Sequence, residues 1–231
     1  MINNVAIGAH KLPLKIRLNK KARRLILRIN DDAGNDALLV TVPVGVTDDY
    51  VLNWLKTQEQ WILRRLQNRP ARVLFVDGQI IPFQGHNVMI RHQQKLRGIV
   101  CIDGDALLVA GRLEHLSRRL TDWLKKQARQ TIIECVAKKS EILGLNFGRI
   151  TVRDTRSRWG SCSSSGNLSF CWRLILAPDY VLDYVVAHEV AHLQEHNHSA
   201  KFWAVTDQLT NHKEQAKRWL KNHGESLHRI G

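Results

Sequence analysis

Residues 187–203 read AHEVAHLQEHNHSAKFW, and four of the chain's 11 histidines fall in this stretch. On a helix, residues four apart share a face about one turn apart, so His188 and His192 can reach one ion. Glu189 lies beside the first of them. In this HExxH arrangement two imidazoles bind a single Zn2+, and the carboxylate approaches the activated water as general base. The chemistry implied is hydrolysis by direct attack of water, without a covalent intermediate.

A third protein donor is needed, and two histidines follow at once. His196 continues the face of His192, but three histidines on a straight helix spread over about 12 Å of rise, too far for three bonds of about 2.1 Å. His198 is the better donor, because it follows Asn197, a residue that tolerates the left-handed conformation that ends a helix. His196 then reads as a solvated residue or a partner to a ligand. Asp207 or Glu214 from the next helix is a weaker third ligand. The resulting HExxHxxxxxH spacing is shared with metzincins. Glu195, however, stands where those have glycine, and both methionines, Met1 and Met89, precede the motif, so no methionine turn can follow it.

These donors need a helix with a buried back. The segment DYVLDYVVAHEVAHLQE supplies it, with Pro178 at the first position, Asp179 in the first turn, and Val181, Leu182, Val185, Val186 and Val190 for burial. Tyr184, one turn before His188, could donate to an oxyanion or to a ligand, although a partly buried tyrosine explains it more readily. Upstream, SRWGSCSSSGNLSFCWRLILAP reads as a hairpin about a two-residue Gly166-Asn167 turn. That register sets Cys162 against Cys171, read as two buried small residues, and puts Trp159, Ser161 and Ser163 on the face of Leu168 and Phe170. The edge RWGSC could receive an extended peptide as an added strand. Arg156 and Arg158 are candidates for holding an oxyanion or an anionic substrate. Trp159 is a third substrate-side candidate, although packing of the sheet against the helix explains its ring more readily.

The remaining segments suggest an α+β fold in two domains, 1–112 and 113–231. Strands are expected at LKIRLN, RRLILRIN and ALLVTVP, with a turn at DDAGND and one helix capped by Thr47. A second strand set follows in RVLFV and IIPF, flanking Asp77-Gly78, then NVMIRH, GIVCI and ALLVA. From Leu113 the stripe Leu116, Leu120, Trp123, Leu124, Ile132 and Val136 marks a long helix ended by Gly144. A strand at RITVRD precedes the hairpin, and the tail reads as two amphipathic helices closed by Gly224. No repeat is apparent.

With 231 residues, 44% of them hydrophobic, the chain can bury a sizeable core. A formal net charge of +14 predicts attraction to polyanions at low salt. Four cysteines without a CxxC pair, no apolar run of membrane-spanning length and no signal-like start point to a cytoplasmic protein with no membrane contact.

SRWGSCSSSGNLSFCWRLILAP, VVAHEVAHLQEHNHSAKFW and RWLKNHG together resemble the YgjP-like family of predicted zinc metallopeptidases, related to SprT- and Wss-type zinc proteases. KKARRLILRI, VTVPVGVT and WILRRLQ match its N-terminal domain. The resemblance implies a mostly β domain over 1–112, and a zincin-like domain over 113–231 with a small mixed sheet and an active-site helix. It further implies His188, His192 and His198 as Zn2+ ligands, Glu189 as catalytic base, and a peptide or protein substrate. The chain departs from the family at Val190, commonly leucine, and at Cys171, often asparagine.

Two other reaction classes remain compatible with the residues. One is metal-dependent hydrolysis of a nucleoside triphosphate, with Arg156 and Arg158 on the phosphates; no P-loop pattern is present. The other is a non-enzymatic nucleic-acid-associated protein with structural zinc, which would need a closed set of four ligands.

Overall fold

The computed structural model describes residues 4–32, 35–95 and 98–231. The turn expected at DDAGND includes residues 33–34 and lies partly outside that set. Two compact units are present, Met1–Pro70 and Ala71–Gly231.

In the first unit, β1 (Asn4–Ile7), β2 (His10–Leu18), β3 (Ile26–Asp32) and β4 (Asn35–Val42) form a sheet in the order β1-β2-β4-β3. Pairing is antiparallel within each hairpin and parallel between β2 and β4. Helices α1 (Asp48–Thr57) and α2 (Glu59–Gln67) set Val51, Leu55 and Ile62 against Ile7, Leu12, Leu14, Leu38 and Val40. Thr47 caps α1 by accepting from the Tyr50 backbone N–H at 3.3 Å. The one helix expected here is two, because the backbone leaves helical geometry at Gln58 (φ −95°, ψ 1°).

The second unit opens with β5 (Ile80–Phe83), β6 (His86–Gln93), β7 (Val100–Asp103) and β8 (Ala106–Ala110), ordered β5-β6-β8-β7. RVLFV is not part of this sheet. Its Val73 instead bridges to Ile230, and the Asp77 carboxylate accepts from the His92 backbone N–H at 2.7 Å. Helix α3 (Leu116–Leu143) lays Leu116, Leu120, Leu124, Ala128, Ile132 and Val136 into the core, and Gly144 ends it at φ 63°. Residues β5–β8 contribute, including Phe83, Ile90 and Leu107, belong to the same core as α3. The break expected between 112 and 113 therefore falls inside the second unit. Strands β9 (Ile150–Arg153), β10 (Gly160–Cys162) and β11 (Leu168–Cys171) form a second sheet ordered β10-β11-β9, followed by α4 (Asp179–Ala191), α5 (Ala200–Leu209) and α6 (Lys213–His228). Gly224 lies inside α6 rather than after it, and a methyl there would come within 3.5 Å of the Trp159 ring. Among the described residues no helix is long and apolar enough to cross a membrane.

The two four-stranded sheets are copies of one design. Both place an antiparallel hairpin beside another through a parallel central pair, and in each the sequence DALLV, at 36–40 and 105–109, falls at one strand of that pair, β4 and β8. The registers coincide: Ile7 faces His10 as Phe83 faces His86, Leu14 faces Leu38 as Ile90 faces Leu107, and Ile29 faces Leu38 as Ile102 faces Leu107. A repeat is thus present where none was apparent. It is concealed because sheet pairing constrains alternation and register, while loop lengths and exposed residues drift.

Candidate metal centre

Helix α4 is held by its apolar back and by one acid. Val181, Val186 and Val190 have no measurable exposure, each burial contributing about 1.5–3 kcal/mol as an upper estimate. On the polar side, the Asp183 carboxylate accepts from Lys139 Nζ of α3 at 2.6 Å and from the Thr210 hydroxyl beyond α5 at 2.6 Å. Lys139 Nζ also donates to the Leu209 carbonyl at 2.7 Å, so one buried ammonium ties three helices together. A helix fixed on both sides can present side chains from its last turn in one arrangement.

That last turn carries His188 and Glu189, and His192 follows as the C-cap. The helix ends about one turn earlier than expected, and Asn197 plays no left-handed role: among the described non-glycine residues only Gln84 has positive φ. The reversal is made by tight turns at Leu193 and Gln194, whose N–H groups donate to Val190 and Ala191. It is braced by a bond of 3.0 Å between His192 Nδ1 and the Glu195 carbonyl. Ser199 then caps α5 by accepting from the Phe202 N–H at 3.4 Å, which fixes His198 directly before the helix.

The imidazoles of His188, His192 and His198 converge, with one potential ligand nitrogen of each within 4.8 Å of the others. His188 Nε2 and His198 Nε2 stand 3.1 Å apart. Bonds of about 2.1 Å in a tetrahedron put ligand atoms roughly 3.4 Å apart, so this pair is spaced to share one ion. The Nδ1 of His192 donates to Glu195, leaving its Nε2 as the electron-pair donor a metal requires. The donor set therefore fits a metal ion. Phe202 forms its floor, its ring 4.9, 4.5 and 4.8 Å from those of His188, His192 and His198. Burial and the neighbouring imidazoles push His188 down to about 4, which favours the neutral, ligating form. Phe202 was not singled out from the sequence; a serine cap placing its third helical residue beneath the preceding histidine is the signal that was available.

Glu189 is buried, 6% exposed, and burial pushes its carboxyl up to about 7 against the opposing pull of Arg158 and a hydrogen bond from the Cys162 N–H. It lies across the Cα of Gly160, where a methyl would come within 2.5 Å of both its Cγ and Oε1. The glycine of RWGSC is thus the residue that admits this carboxylate. Strand β10 is the edge of its sheet among the described residues. Cys171 N donates to the Trp159 carbonyl and Ser163 N to the Asn167 carbonyl, so the backbone groups of Gly160 and Cys162 point to the open edge, where the Cys162 N–H meets Glu189.

The hairpin register differs from expectation. Gly160, Ser161 and Cys162 face Phe170, Ser169 and Leu168, and the loop closes from Ser163 to Asn167 with Gly166 at φ 73°. A longer loop shifts the pairing by an odd number, which exchanges the faces. Cys162 and Cys171 consequently leave opposite faces, and Ser161 shares its row with Ser169 rather than Phe170. Arg158 lies at the mouth of an outer-face groove and acts on Glu189. Arg156 is exposed and acts on Asp154 and His228. Trp159 stacks on His228 at 4.1 Å between centroids. Tyr184 is buried, 6.0 Å from the His188 ring, with burial raising its hydroxyl to about 12. Of the other proposed donors, His196 is exposed, Asp207 pairs with Lys213 at 2.6 Å and Glu214 with Lys217 at 3.5 Å.

A mixed α+β unit that brings three imidazoles together beside a buried carboxylate has the donor set of a metal-dependent hydrolase. The chain belongs to the YgjP-like family: the family's metallopeptidase domain matches residues 23–223. No curated protein matches the sequence. Among solved structures, the metallopeptidase zymogen abylysin of Pyrococcus abyssi is 20% identical over 43% of this chain and 97% of its own, with a TM-score of 0.37. The zymogen of Methanocaldococcus jannaschii jannalysin is 20% identical over 41% of this chain and 96% of its own, with a TM-score of 0.36.

Proposed function

We propose that the chain is a zinc-dependent peptidase in which His188, His192 and His198 hold one ion and Glu189 is the general base. The observation that carries this reading is the 3.1 Å separation of His188 and His198 Nε2 beside the carboxylate seated on Gly160. A bound Zn2+ supplies Lewis acidity, polarising the peptide carbonyl and making water easier to deprotonate. Glu189 takes the proton from the attacking water and delivers it to the leaving amine. The open edge of β10 aligns an extended substrate as an added antiparallel strand, main chain to main chain, through the backbone of Gly160 and the Cys162 carbonyl, the Cys162 N–H being taken by Glu189. Arg158, whose charge already reaches Glu189, steadies developing negative charge, and Arg156 extends the cationic rim. Trp159 holds the hairpin against α6 so that this edge stays in place.

The test is peptide turnover by the zinc-loaded protein and its Glu189→Gln variant. The variant retains stoichiometric metal and loses roughly 10²–10⁴-fold in kcat. Equal turnover by the two proteins would exclude Glu189 as the base.

A further inference from the structure

The outer face of the β9–β11 sheet, away from α4, carries a groove of about 510 Å³, of whose lining residues Arg158 and Cys162 also act on Glu189. Its floor is a row of hydroxyls crossing the three strands in register, Ser161 to Ser169 to Thr151. Its walls carry Arg149 and Arg153 on the β9 side and Arg158 on the β10 side. Arg149 and Arg153 enter no ion pair among the described residues, so two guanidinium forks stand beside a row of hydroxyls, of which Thr151 donates to the Leu168 carbonyl at 3.4 Å, with no carboxylate to meet them.

Topology indicates what would meet them. The groove and the Glu189 side are opposite faces of one sheet, and both end at the open edge of β10. A strand added to that edge sends alternate side chains to opposite faces, so every second residue of a substrate faces the groove. Three strand spacings of about 4.8 Å place β9 roughly 14 Å from such a strand, the outer limit of the joint reach of a fully extended glutamate and arginine, about 5 and 7 Å from their Cα atoms, closed by a hydrogen bond. Guanidinium groups bind carboxylates through paired hydrogen bonds, which a lysine or a neutral amide in the substrate cannot offer. Among the described residues lining the groove none is aromatic, so it presents no ring face on which a nucleic-acid base would stack.

We propose that Arg149 and Arg153 form a subsite for glutamate side chains, making extended peptides with Glu at alternate positions the preferred substrates. This rests on the reading of β10 as the substrate-aligning edge. The experiment measures binding of labelled peptides to the zinc-loaded Glu189→Gln protein by fluorescence anisotropy at about 0.15 M salt, where non-specific attraction to the basic surface is screened. Peptides of one length carry Glu, Gln or Lys at alternate positions. The acidic peptide binds at least about tenfold more tightly than the Gln peptide, as charge-assisted hydrogen bonds imply, and Arg149→Ala with Arg153→Ala abolishes that difference. Lys20→Ala with Lys21→Ala, two exposed charges in the first unit, leaves it intact. Equal binding of the three peptides, or discrimination that survives loss of both arginines, overturns the subsite. So does tighter, arginine-dependent binding of a single-stranded oligonucleotide of equal charge. Cleavage by the unaltered protein is scored separately: arginine-dependent binding of acidic peptides that are never cut would refute the peptidase reading and leave the subsite standing.

Discussion

The Glu189 carboxylate lies against the backbone of Gly160, so close that a Cβ at that position would sit 2.5 Å from its Cγ. The hairpin and the helix thus meet at the one atom a side chain would displace. Gly160→Ala should retain bound metal and lose about 100-fold in kcat, the scale of a misplacement near 1 Å. Metal content together with steady-state kinetics distinguishes this from unfolding. An alanine variant with full activity would mean that Glu189 need not occupy this position.

His198 and His196 should part company when each is replaced by alanine. His198 Nε2 lies 3.1 Å from that of His188, whereas His196 is exposed and outside the convergent set. Removing His198 should weaken metal binding by more than the roughly 10–100-fold typical of an outer-shell partner, and removing His196 by less. Competition against a chelator of known affinity reads both. The reverse order would require a different third ligand.

Ser199→Ala tests whether the cap positions a ligand. Losing the bond to the Phe202 N–H should cost about 1 kcal/mol of stability, and metal affinity should fall with it because His198 precedes the cap. Ser199→Asp, which can still accept that bond, should restore both.

Much of this centre is legible in the sequence, and what is not has a physical cause. Spacing along a helix is rigid, so His188, Glu189 and His192 could be placed on one turn, and Gly144 and Thr47 end and begin their helices where chemistry demands. The hairpin was harder. Gly166-Asn167 suits a two-residue turn, but Gly166 instead serves at φ 73° in a longer loop, and one odd step exchanges every side chain between faces. The outer groove was invisible for that reason, since the hydroxyl row Ser161, Ser169 and Thr151 exists only in the true register. Asn197 failed differently: its preference for a left-handed turn lost to two other local bonds, each spanning three residues, from His192 Nδ1 to the Glu195 carbonyl and from the Phe202 N–H to Ser199 Oγ.

Lys139 should matter more to stability than its surface-like residue type suggests. Its ammonium is buried and serves both Asp183 and the Leu209 carbonyl. Lys139→Ala should destabilise by about 3 kcal/mol, the low end for breaking a buried pair, because Asp183 keeps Thr210 and some solvent. Chemical denaturation of the metal-free protein isolates this from binding.

Acid sensitivity should trace in part to His228, which lies outside the metal centre. Its ring stacks on Trp159, and burial, reinforced by Arg173, pushes it down to about 4 although Asp154 pulls the other way. The unfolded chain takes up this proton near 6.5, and the folded one resists until about 4. Between those values the unfolded state binds more protons, so stability present above 6.5 falls as the pH is lowered through this window and levels off below it. The loss should be on the order of 3 kcal/mol at most, less to the extent that solvent reaches the partly exposed ring. His228→Asn removes the titrating group. The difference in unfolding free energy between parent and variant should therefore change with pH between about 6.5 and 4, and run flat above that range. Asp154, held below its ordinary value by Arg173, adds a separate loss only at lower pH. A difference that stays constant through the window would show that the His228 ring takes its proton as readily in the fold as in the open chain.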